Sequence, residues 1–146
     1  MNLETMYSAS VNSKETRLSE DITETATEIF VTDADVLPDA PNLLVIGGNS
    51  DKAETVKLVS KDGNKLTVER SFQGVSIAWK ANTIIGRNFT AYDHDTFKSN
   101  IENLNTEQSE HLKSEMPHLT ADGKYKYGFK VNDDESVSFI YEEQEE

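Results

Sequence analysis

Residues 84–104 read IIGRNFTAYDHDTFKSNIENL, and this segment is the most informative part of the chain. It begins with an apolar run at Ile84 and Ile85 and reaches Phe89 before the composition turns polar. Such a run is typical of a short buried strand, whereas the residues after Phe89 have the spacing of a helix. The segment therefore predicts a strand that leads directly into a helix.

The helix is predicted from a single apolar stripe. Phe97, Ile101 and Leu104 recur at i, i+4 and i+7, so they share one face over about three turns. Asp93 or Asp95 is the expected N-cap, because a short acidic side chain accepts hydrogen bonds from free backbone N–H groups in the first turn. We expect the stripe to pack against a sheet.

Short runs of β-forming residues, separated by turn residues, fill the sequence before this segment. Asp62-Gly63 lies between the runs 54–60 and 65–70, and this dipeptide tolerates the positive φ angles of a tight hairpin. A further β run is predicted at 75–79. With five or six such strands, the expected fold class is mainly β, a small sandwich, an open barrel or a curled sheet, with one packed helix.

A second hairpin is predicted near the C-terminus. Apolar and polar residues alternate on both sides of a turn at 132–134, which places the apolar residues on one face. They are Tyr125, Tyr127, Phe129, Val131, Val137, Phe139 and Tyr141. Because an isolated hairpin is only marginally stable in water, we expect this face to be an interface, with the main domain or with another subunit.

These patterns divide the chain into four parts. Residues 1–24 are polar with scattered apolar residues, and we expect an N-terminal arm there. Residues 25–104 are predicted to form a β-rich domain with a terminal helix, and residues 105–120 a linker or a second helix. Residues 121–146 are predicted to form the C-terminal hairpin and an acidic tail.

Charge and composition narrow the possible functions. The net charge is −13, from 27 acidic and 14 basic residues. Because proteins bind phosphate backbones through Lys and Arg, we expect no nucleic-acid partner. The acidity favours solubility, with mimicry of nucleic acid by a carboxylate-lined surface as the alternative. No apolar run approaches the ~20 residues of a membrane span, and no export signal is expected at the N-terminus.

The residues that bind metals in other proteins are few and poorly spaced here. The chain has no cysteine and three histidines. In Asp93-His94-Asp95 the adjacent side chains point apart, and no second histidine follows at i+3 or i+4, so capping is favoured over metal binding. His111 and His118 are separated by Pro117, and we expect them to lie apart on the surface. No metal site is predicted.

Catalytic motifs are missing from the sequence. The glycines within residues 46–52 lack the Gly-Lys-Ser/Thr ending of a phosphate-binding loop, so they indicate a turn. No Gly-x-Ser-x-Gly motif is present, and no carboxylate pair stands out among the 27 acidic residues. We assign no catalytic or cofactor-binding residue and expect no cofactor and no enzyme activity.

Aromatic residues permit one binding function. Phe72, Trp79 and Tyr92, together with the C-terminal aromatic residues, include the ring types that stack on sugars. Packing in a core or at a subunit interface is the more common use of such residues. Binding of a sugar is therefore an alternative that requires exposed, coplanar rings.

Several short motifs are spread over residues 20–104. They lie at 25–29, 37–38, 40–43, 46–47, 54–56, 63–70, 72–74, 78–79 and 87–95, followed by Phe97, 100–101 and Leu104. With these motifs the chain resembles a family of virion proteins of tailed bacteriophages of Gram-positive hosts, described as tail, baseplate, fibre or head-fibre proteins. Residues 122–125 and 139–143 also resemble the short closing hairpin of such proteins.

The resemblance implies which residues form the core of the shared motifs. They are Phe72, Trp79, Phe89, Tyr92, Asp93, Phe97 and Ile101. The chain departs from the family pattern at two places. Ser71 stands where glycine is expected before Phe-Gln-Gly, and Asn82-Thr83 stands where Gly-Thr is expected. These departures bring the local turn geometry into question.

The resemblance also implies the function. It indicates a non-enzymatic structural protein of the tail, baseplate or fibre base, with residues 25–104 as an attachment domain. Capsid decoration or a head-fibre role is the alternative, followed by binding of a host glycan. The expected partners are other virion proteins and further copies of the chain, with a trimer favoured. The expected location is the virion, assembled in the host cytoplasm.

Overall fold

A computed structural model of the protein describes residues 3–144. The described residues divide into two compact units, 4–98 and 99–144. The fold is mainly β, as predicted, with a six-stranded curled sheet, a three-stranded sheet and one α-helix. In residues 3–144 no helix is long and apolar enough to cross a membrane.

The first unit is built on the six-stranded sheet, in which every pairing is antiparallel. Its order is β1-β6-β3-β4-β5-β2. The strands are β1 (Glu15–Arg17), β2 (Glu28–Phe30), β3 (Asn42–Ile46), β4 (Glu54–Asp62), β5 (Lys65–Gln73) and β6 (Ile84–Gly86). A single 3-10 turn, Val11–Ser13, precedes β1.

This sheet curls until its two edge strands meet. Leu18 and Val31, which follow β1 and β2, form an antiparallel bridge. The Ser19 N–H donates to the Phe30 carbonyl at 2.9 Å, and the Thr32 N–H donates to the Arg17 carbonyl at 2.9 Å. Backbone N–H and C=O groups at these edges, which could otherwise pair with another chain, therefore form hydrogen bonds within the unit.

One apolar core fills the curled sheet. Strand β3 is buried at all five positions, which agrees with its continuous apolar run. The buried core residues are Leu18, Ile22, Ile29, Val31, Ala34, Leu37, Leu44, Ile46, Val56, Leu58, Leu66, Val68 and Ile85. The two units differ in this respect, because no residue of this core lies beyond Lys98.

Two of the predictions for this unit can be compared directly with the strands. The hairpin at Asp62-Gly63 is confirmed, because β4 and β5 pair on either side of it and Gly63 has φ +56°. The strand predicted at 75–79 is wrong, since only Trp79 forms an isolated bridge, to Ile22. The Ile77 carbonyl instead accepts a hydrogen bond from the Arg70 side chain at 2.9 Å, so it is not available to a strand partner.

The N-terminal residues do not form a separate arm. Strand β1 pairs with β6, and Leu18 and Ile22 are buried in the core, so residues 15–22 belong to the curled sheet. Their apolar residues follow no single period because the segment contacts different elements in turn. The Leu18 N–H donates to the Thr83 carbonyl at 2.9 Å, and the Ile22 N–H donates to the Trp79 carbonyl at 2.8 Å.

The helix α1 (Ala91–Lys113) is longer than predicted and starts at a different cap. The Thr90 hydroxyl accepts from the Asp93 N–H at 3.3 Å, and the Asp93 carboxylate accepts from the Thr90 N–H at 2.9 Å. This reciprocal pair is a capping box, so Thr90 is the N-cap and not Asp93 or Asp95. Residues 105–113, predicted as a linker or a second helix, continue the same helix.

The apolar stripe of α1 is not buried as predicted. Phe97, Ile101 and Leu104 are 42%, 65% and 49% exposed, whereas Asp93 and Thr96 are buried. The i, i+4, i+7 pattern finds apolar side chains that share a face, but it does not detect polar side chains held by specific partners. Here Arg87 holds Asp93, and the Thr96 hydroxyl lies 3.4 Å from a carboxylate oxygen of Glu4.

The second unit contains the three-stranded sheet with the order β7-β8-β9. Its strands are β7 (His118–Leu119), β8 (Tyr125–Val131) and β9 (Val137–Glu143). The predicted C-terminal hairpin is present as β8 and β9, and β7 adds a short third strand. Gly128 in β8 lies where any Cβ would collide with the Glu115 carbonyl, so only glycine allows the chain to pass there.

Gly47 is a position where the fold requires glycine. Its φ is +93°, and a Cβ built on it would lie 2.5 Å from the Trp79 ring. We expect Gly47→Ala to destabilise the protein by more than the ~1–3 kcal/mol of backbone strain alone, because the ring must also move. Gly63→Ala is the matched control. Gly63 also has positive φ, but a Cβ built on it would meet no atom within 4 Å outside its chain neighbours. Urea unfolding measures both variants, and equal losses would contradict the packing role of Gly47.

Candidate assembly surface

The register of β8 and β9 places the apolar residues of the C-terminal hairpin on one face. Tyr127 pairs with Tyr141, and directly paired residues of antiparallel strands point to the same side of the sheet. The same face contains the pairs Phe129–Phe139 and Val131–Val137. We call the set Tyr125, Tyr127, Phe129, Val131, Val137, Phe139 and Tyr141 the aromatic face.

The aromatic face is open to solvent, although its rings contact one another. Phe129, Phe139 and Tyr141 are 65%, 57% and 68% exposed. The Phe139 ring is at the centre, with centroids 5.7 Å from Phe129, 5.9 Å from Tyr127 and 6.0 Å from Tyr141. A shallow groove of about 320 Å³ runs along the face. Its lining residues are Thr120, Tyr125, Tyr127, Phe139 and Tyr141.

The sheet that carries this face has almost no interior of its own. From residue 101 to residue 144 the only buried residue is Gly128. The opposite face of the hairpin carries Lys126, Lys130 and Glu142, with Ile140 as its one large apolar side chain, so most apolar side chains lie on the aromatic face. A small sheet needs an apolar face packed against something to be stable. The aromatic face is therefore the part of the described chain that most needs a partner.

The Arg87–Asp93 ion pair links the junction before α1 to the N-terminal residues. Arg87 Nη2 lies 2.7 Å from Asp93 Oδ1, and Nη1 lies 2.9 Å from Oδ2, with both side chains buried. Arg87 Nε also donates to the Ser8 carbonyl at 3.1 Å. The Tyr92 hydroxyl donates to the Thr5 carbonyl at 2.9 Å.

A second buried ion pair, Glu54–Arg70, connects two strands and two loops. Arg70 donates to both oxygens of Glu54 at 2.8 Å, and the Ser71 N–H donates to the same carboxylate at 2.9 Å. Arg70 Nη1 donates to the carbonyls of Thr23 and Ala26 at 2.8 and 3.0 Å. Trp79 Nε1 donates to Glu54 at 3.3 Å. This network fixes loop segments that have no strand partner.

The sequence contains only a weak signal for these two pairs. Arg70 shares its side of β5 with the inward-facing Leu66 and Val68, which is an unusual position for an unpaired cation. Glu54 begins β4 and is fully buried, but nothing local identifies its partner. Arg87 lies inside the segment 84–104, and its partner Asp93 follows six residues later. The pairing of each ion depends on the fold, so sequence patterns do not reveal it.

The residues proposed as the core of the family motifs have different environments. Asp93 is buried, Trp79 packs on the core, and Phe72 and Tyr92 make an edge-to-face ring contact at 5.0 Å. Phe89 and Phe97 are 68% and 42% exposed, with their rings 6.1 Å apart. Together with Ile101, they are not core residues in this structure. The reason is that α1 buries its polar side chains instead.

Both departures from the family pattern occur at left-handed backbone. Ser71 has φ +56° and Asn82 has φ +68°. Glycine adopts these angles without cost, and asparagine tolerates them better than most other residues. The Ser71 hydroxyl also accepts from the Ser76 N–H at 2.9 Å, which helps to fix that turn. Ser71 and Asn82 therefore adopt the left-handed backbone that glycine would favour at these two turns.

The rings considered for sugar binding fall into two groups. Phe72, Trp79 and Tyr92 are partly buried, and the first and last of these are in mutual contact, so they form no open stacking surface. The C-terminal rings are exposed, and Phe139 and Tyr141 stack with 29° between their planes. Of these two groups, only the C-terminal rings have the exposure that glycan binding requires.

The histidines are not arranged as the sequence predicts. His94 Nδ1 lies 3.0 Å from Asp95 Oδ1, and both side chains are exposed. His111 and His118, expected to lie apart, have ring centroids 5.4 Å apart, because the turn at Pro117 brings β7 back beside the end of α1. Among the described residues, no three His, Cys, Asp or Glu side chains are grouped to hold a metal ion.

Acid is expected to destabilise the first unit through Asp93. Burial tends to raise the pKa of Asp93, but hydrogen bonds from Arg87 and Thr90 outweigh it and hold this pKa below its usual value. Because the folded-state pKa is lower than the unfolded one, this stabilisation is present above the unfolded pKa and is lost as the pH falls through the folded pKa. The pKa of Glu54 is also lowered. Burial tends to raise it, but hydrogen bonds from Arg70, Ser71 and Trp79 outweigh this effect.

Urea unfolding over a pH series measures this effect. Asp93→Asn is expected to be less stable than the wild type at neutral pH and to lose less stability on acidification, since it has no carboxylate to protonate. Asp95→Asn is the control, because the Asp95 side chain is exposed and its ion pair is with the exposed His94. An Asp93→Asn curve parallel to the wild-type curve at all pH values would contradict the assignment.

No protein-family model matches the chain, and no curated protein sequence matches it.

Proposed function

We propose that this chain is a non-enzymatic structural protein of a tailed-bacteriophage virion, located in the tail, the baseplate or the base of a fibre. In this role it assembles with further copies of itself and with other virion proteins. The observation that carries the proposal is the aromatic face, which is exposed on a sheet with almost no interior of its own. The assignment to a phage virion rests on the sequence resemblance.

The self-association part of the proposal is supported by energetics. Burial of apolar surface contributes about 25 cal/mol per Å², and a fully buried aromatic or branched side chain contributes ~1.5–3 kcal/mol. Phe129, Phe139 and Tyr141 are all more than half exposed, so most of this energy is not yet realised in the single chain. A closed symmetric assembly in which the same face meets its copies realises it, and we propose a trimer.

The resemblance to virion proteins is supported by backbone geometry at two positions. Ser71 and Asn82 have left-handed backbone at the places where the family pattern has glycine. A turn that demands positive φ is a structural reason for glycine there. The motif residues Trp79 and Asp93 also form hydrogen bonds in the buried Glu54–Arg70 and Arg87–Asp93 networks. Two of the motifs therefore lie where buried ion pairs hold the fold together.

Labelling of intact particles tests the virion assignment. Antibodies against the chain, with gold detection by electron microscopy, are expected to mark the tail or baseplate of the phage that encodes it. Labelling of the capsid would instead support the alternative, a decoration or head-fibre protein. Purified virions in which mass spectrometry finds no peptide of the chain would contradict both.

A second candidate function is binding of a host-surface glycan on the aromatic face. The stacked Phe139 and Tyr141 rings beside the groove support it, because aromatic rings stack on the apolar faces of sugars. A glycan array with host cell-wall polysaccharides is expected to show binding that Tyr141→Ser removes. Binding that is equal in the wild type and in Tyr141→Ser would exclude this face as a glycan site.

A further inference from the structure

Two imidazoles come together at the end of α1. His111 lies in the last turn of the helix, and His118 begins β7 after the turn at Pro117. Their ring centroids are 5.4 Å apart, with an angle of 78° between the planes. Both residues are exposed, so ions in the solvent have access to them. The aromatic-face proposal assigns no role to either histidine, but His118 contacts Tyr127, which belongs to that face.

The separation of the two rings is suitable for a shared metal ion. In a tetrahedral zinc site the metal–nitrogen distance is ~2.0–2.1 Å, which places the centroids of two imidazole ligands about 5 Å apart. The observed 5.4 Å is close to this value.

The surroundings of the pair also allow coordination. The two histidines line a groove of about 280 Å³, and its other lining residues are Leu112, Ser114, Glu115, Pro117, Gly128 and Phe129. His118 packs on Tyr127, with centroids 5.3 Å apart and 32° between the rings, which limits its rotation. Gly128 has no side chain that would fill the groove. Water has room to supply the remaining ligands of a metal ion held by two imidazoles.

We propose that His111 and His118 form a binding site for a divalent transition-metal ion, with Zn²⁺ as the expected ion. Neutral imidazole is a common zinc ligand and also suits Ni²⁺ and Cu²⁺, whereas Mg²⁺ and Ca²⁺ prefer oxygen ligands. The two histidines are the protein ligands, and water completes the coordination sphere. Zinc bound at this position links the end of α1 to β7.

Calorimetric titration of the full chain with Zn²⁺ tests this site. The titration contains excess Mg²⁺, which competes for the many surface carboxylates but not for imidazole. We expect one Zn²⁺ to bind per chain. His111→Ala and His118→Ala are each expected to weaken binding by at least about tenfold, since even the loss of a group that only orients a metal ligand costs ~10–100-fold.

His94→Ala is the matched control, because His94 is also exposed and also lies on α1. Its affinity for Zn²⁺ is expected to equal that of the wild type. Circular dichroism identifies any variant that fails to fold, and His111→Gln and His118→Gln then replace the alanine variants. Absence of Zn²⁺ binding, or binding that survives in His111→Ala and His118→Ala, would overturn the site and leave the two rings as an aromatic contact only.

Discussion

Replacement of Arg70 by alanine is expected to lower the free energy of unfolding by ~3–5 kcal/mol, because it leaves the buried Glu54 carboxylate without its cation. The side chains of Glu54 and Arg70 are 0% and 6% exposed. In the variant, the Ser71 N–H and Trp79 Nε1 remain as donors to this carboxylate, but neither carries a positive charge. The variant also frees the carbonyls of Thr23, Ala26 and Ile77, which accept hydrogen bonds from Arg70.

This loss is large relative to the stability of an ordinary domain, which is ~5–15 kcal/mol. Arg70→Lys restores the positive charge but not the bidentate geometry, so it is expected to recover only part of the stability. The loop segments around residues 23–26 and 77–79 are expected to become mobile first, because Arg70 and Glu54 are their main attachment to the sheet.

Urea unfolding followed by far-ultraviolet circular dichroism measures the effect of Arg70→Ala. Lys65→Ala is the control, because Lys65 forms a 3.1 Å ion pair with Glu28 on the same sheet but with side chains 34% and 60% exposed. An exposed pair of this kind contributes ~0–1 kcal/mol. If Arg70→Ala and Lys65→Ala lose the same stability, the network around Glu54 does not hold the fold together.

Phe139→Asp is expected to convert the proposed trimer into monomers. Phe139 is at the centre of the aromatic face, in ring contact with Tyr127, Phe129 and Tyr141. A carboxylate at this position would be buried in the interface of every copy, without a cation, and the cost of such burial exceeds the apolar contribution that is lost. Sedimentation velocity is expected to show one species at the mass of the single chain.

Lys130→Asp is the control for this experiment. Lys130 lies on the same hairpin but on the opposite, polar face, where it pairs with Ser138. The substitution introduces the same charged group as Phe139→Asp, so a general effect of negative charge would appear in both variants. Loss of the assembly in Lys130→Asp, or an intact assembly in Phe139→Asp, would place the interface elsewhere.

Local patterns predicted the strands of this protein well where one face is apolar. The alternation from Tyr125 to Tyr141 fixed both the hairpin and the set of residues on its face, because side chains in a strand alternate with period two. The Asp62-Gly63 turn fixed the β4–β5 hairpin for a similar local reason. In both cases the information lies within a few adjacent residues.

Features that depend on distant partners were predicted poorly. Residues 15–22 join the sheet through hydrogen bonds to segments around Phe30, Trp79 and Thr83, and no local period identifies such contacts. The helix buries Asp93 because Arg87 is placed opposite it, a pairing that hydrophobic periodicity does not detect. His111 and His118 meet because a turn and a third strand bring them together, and neither was predicted.

We propose that the aromatic face joins copies of this chain into a symmetric assembly. Size-exclusion chromatography with multi-angle light scattering, over a wide range of protein concentration, tests it most directly. The predicted result is a particle with three times the 16.4 kDa mass of the chain. A mass of one chain at every concentration would contradict the claim.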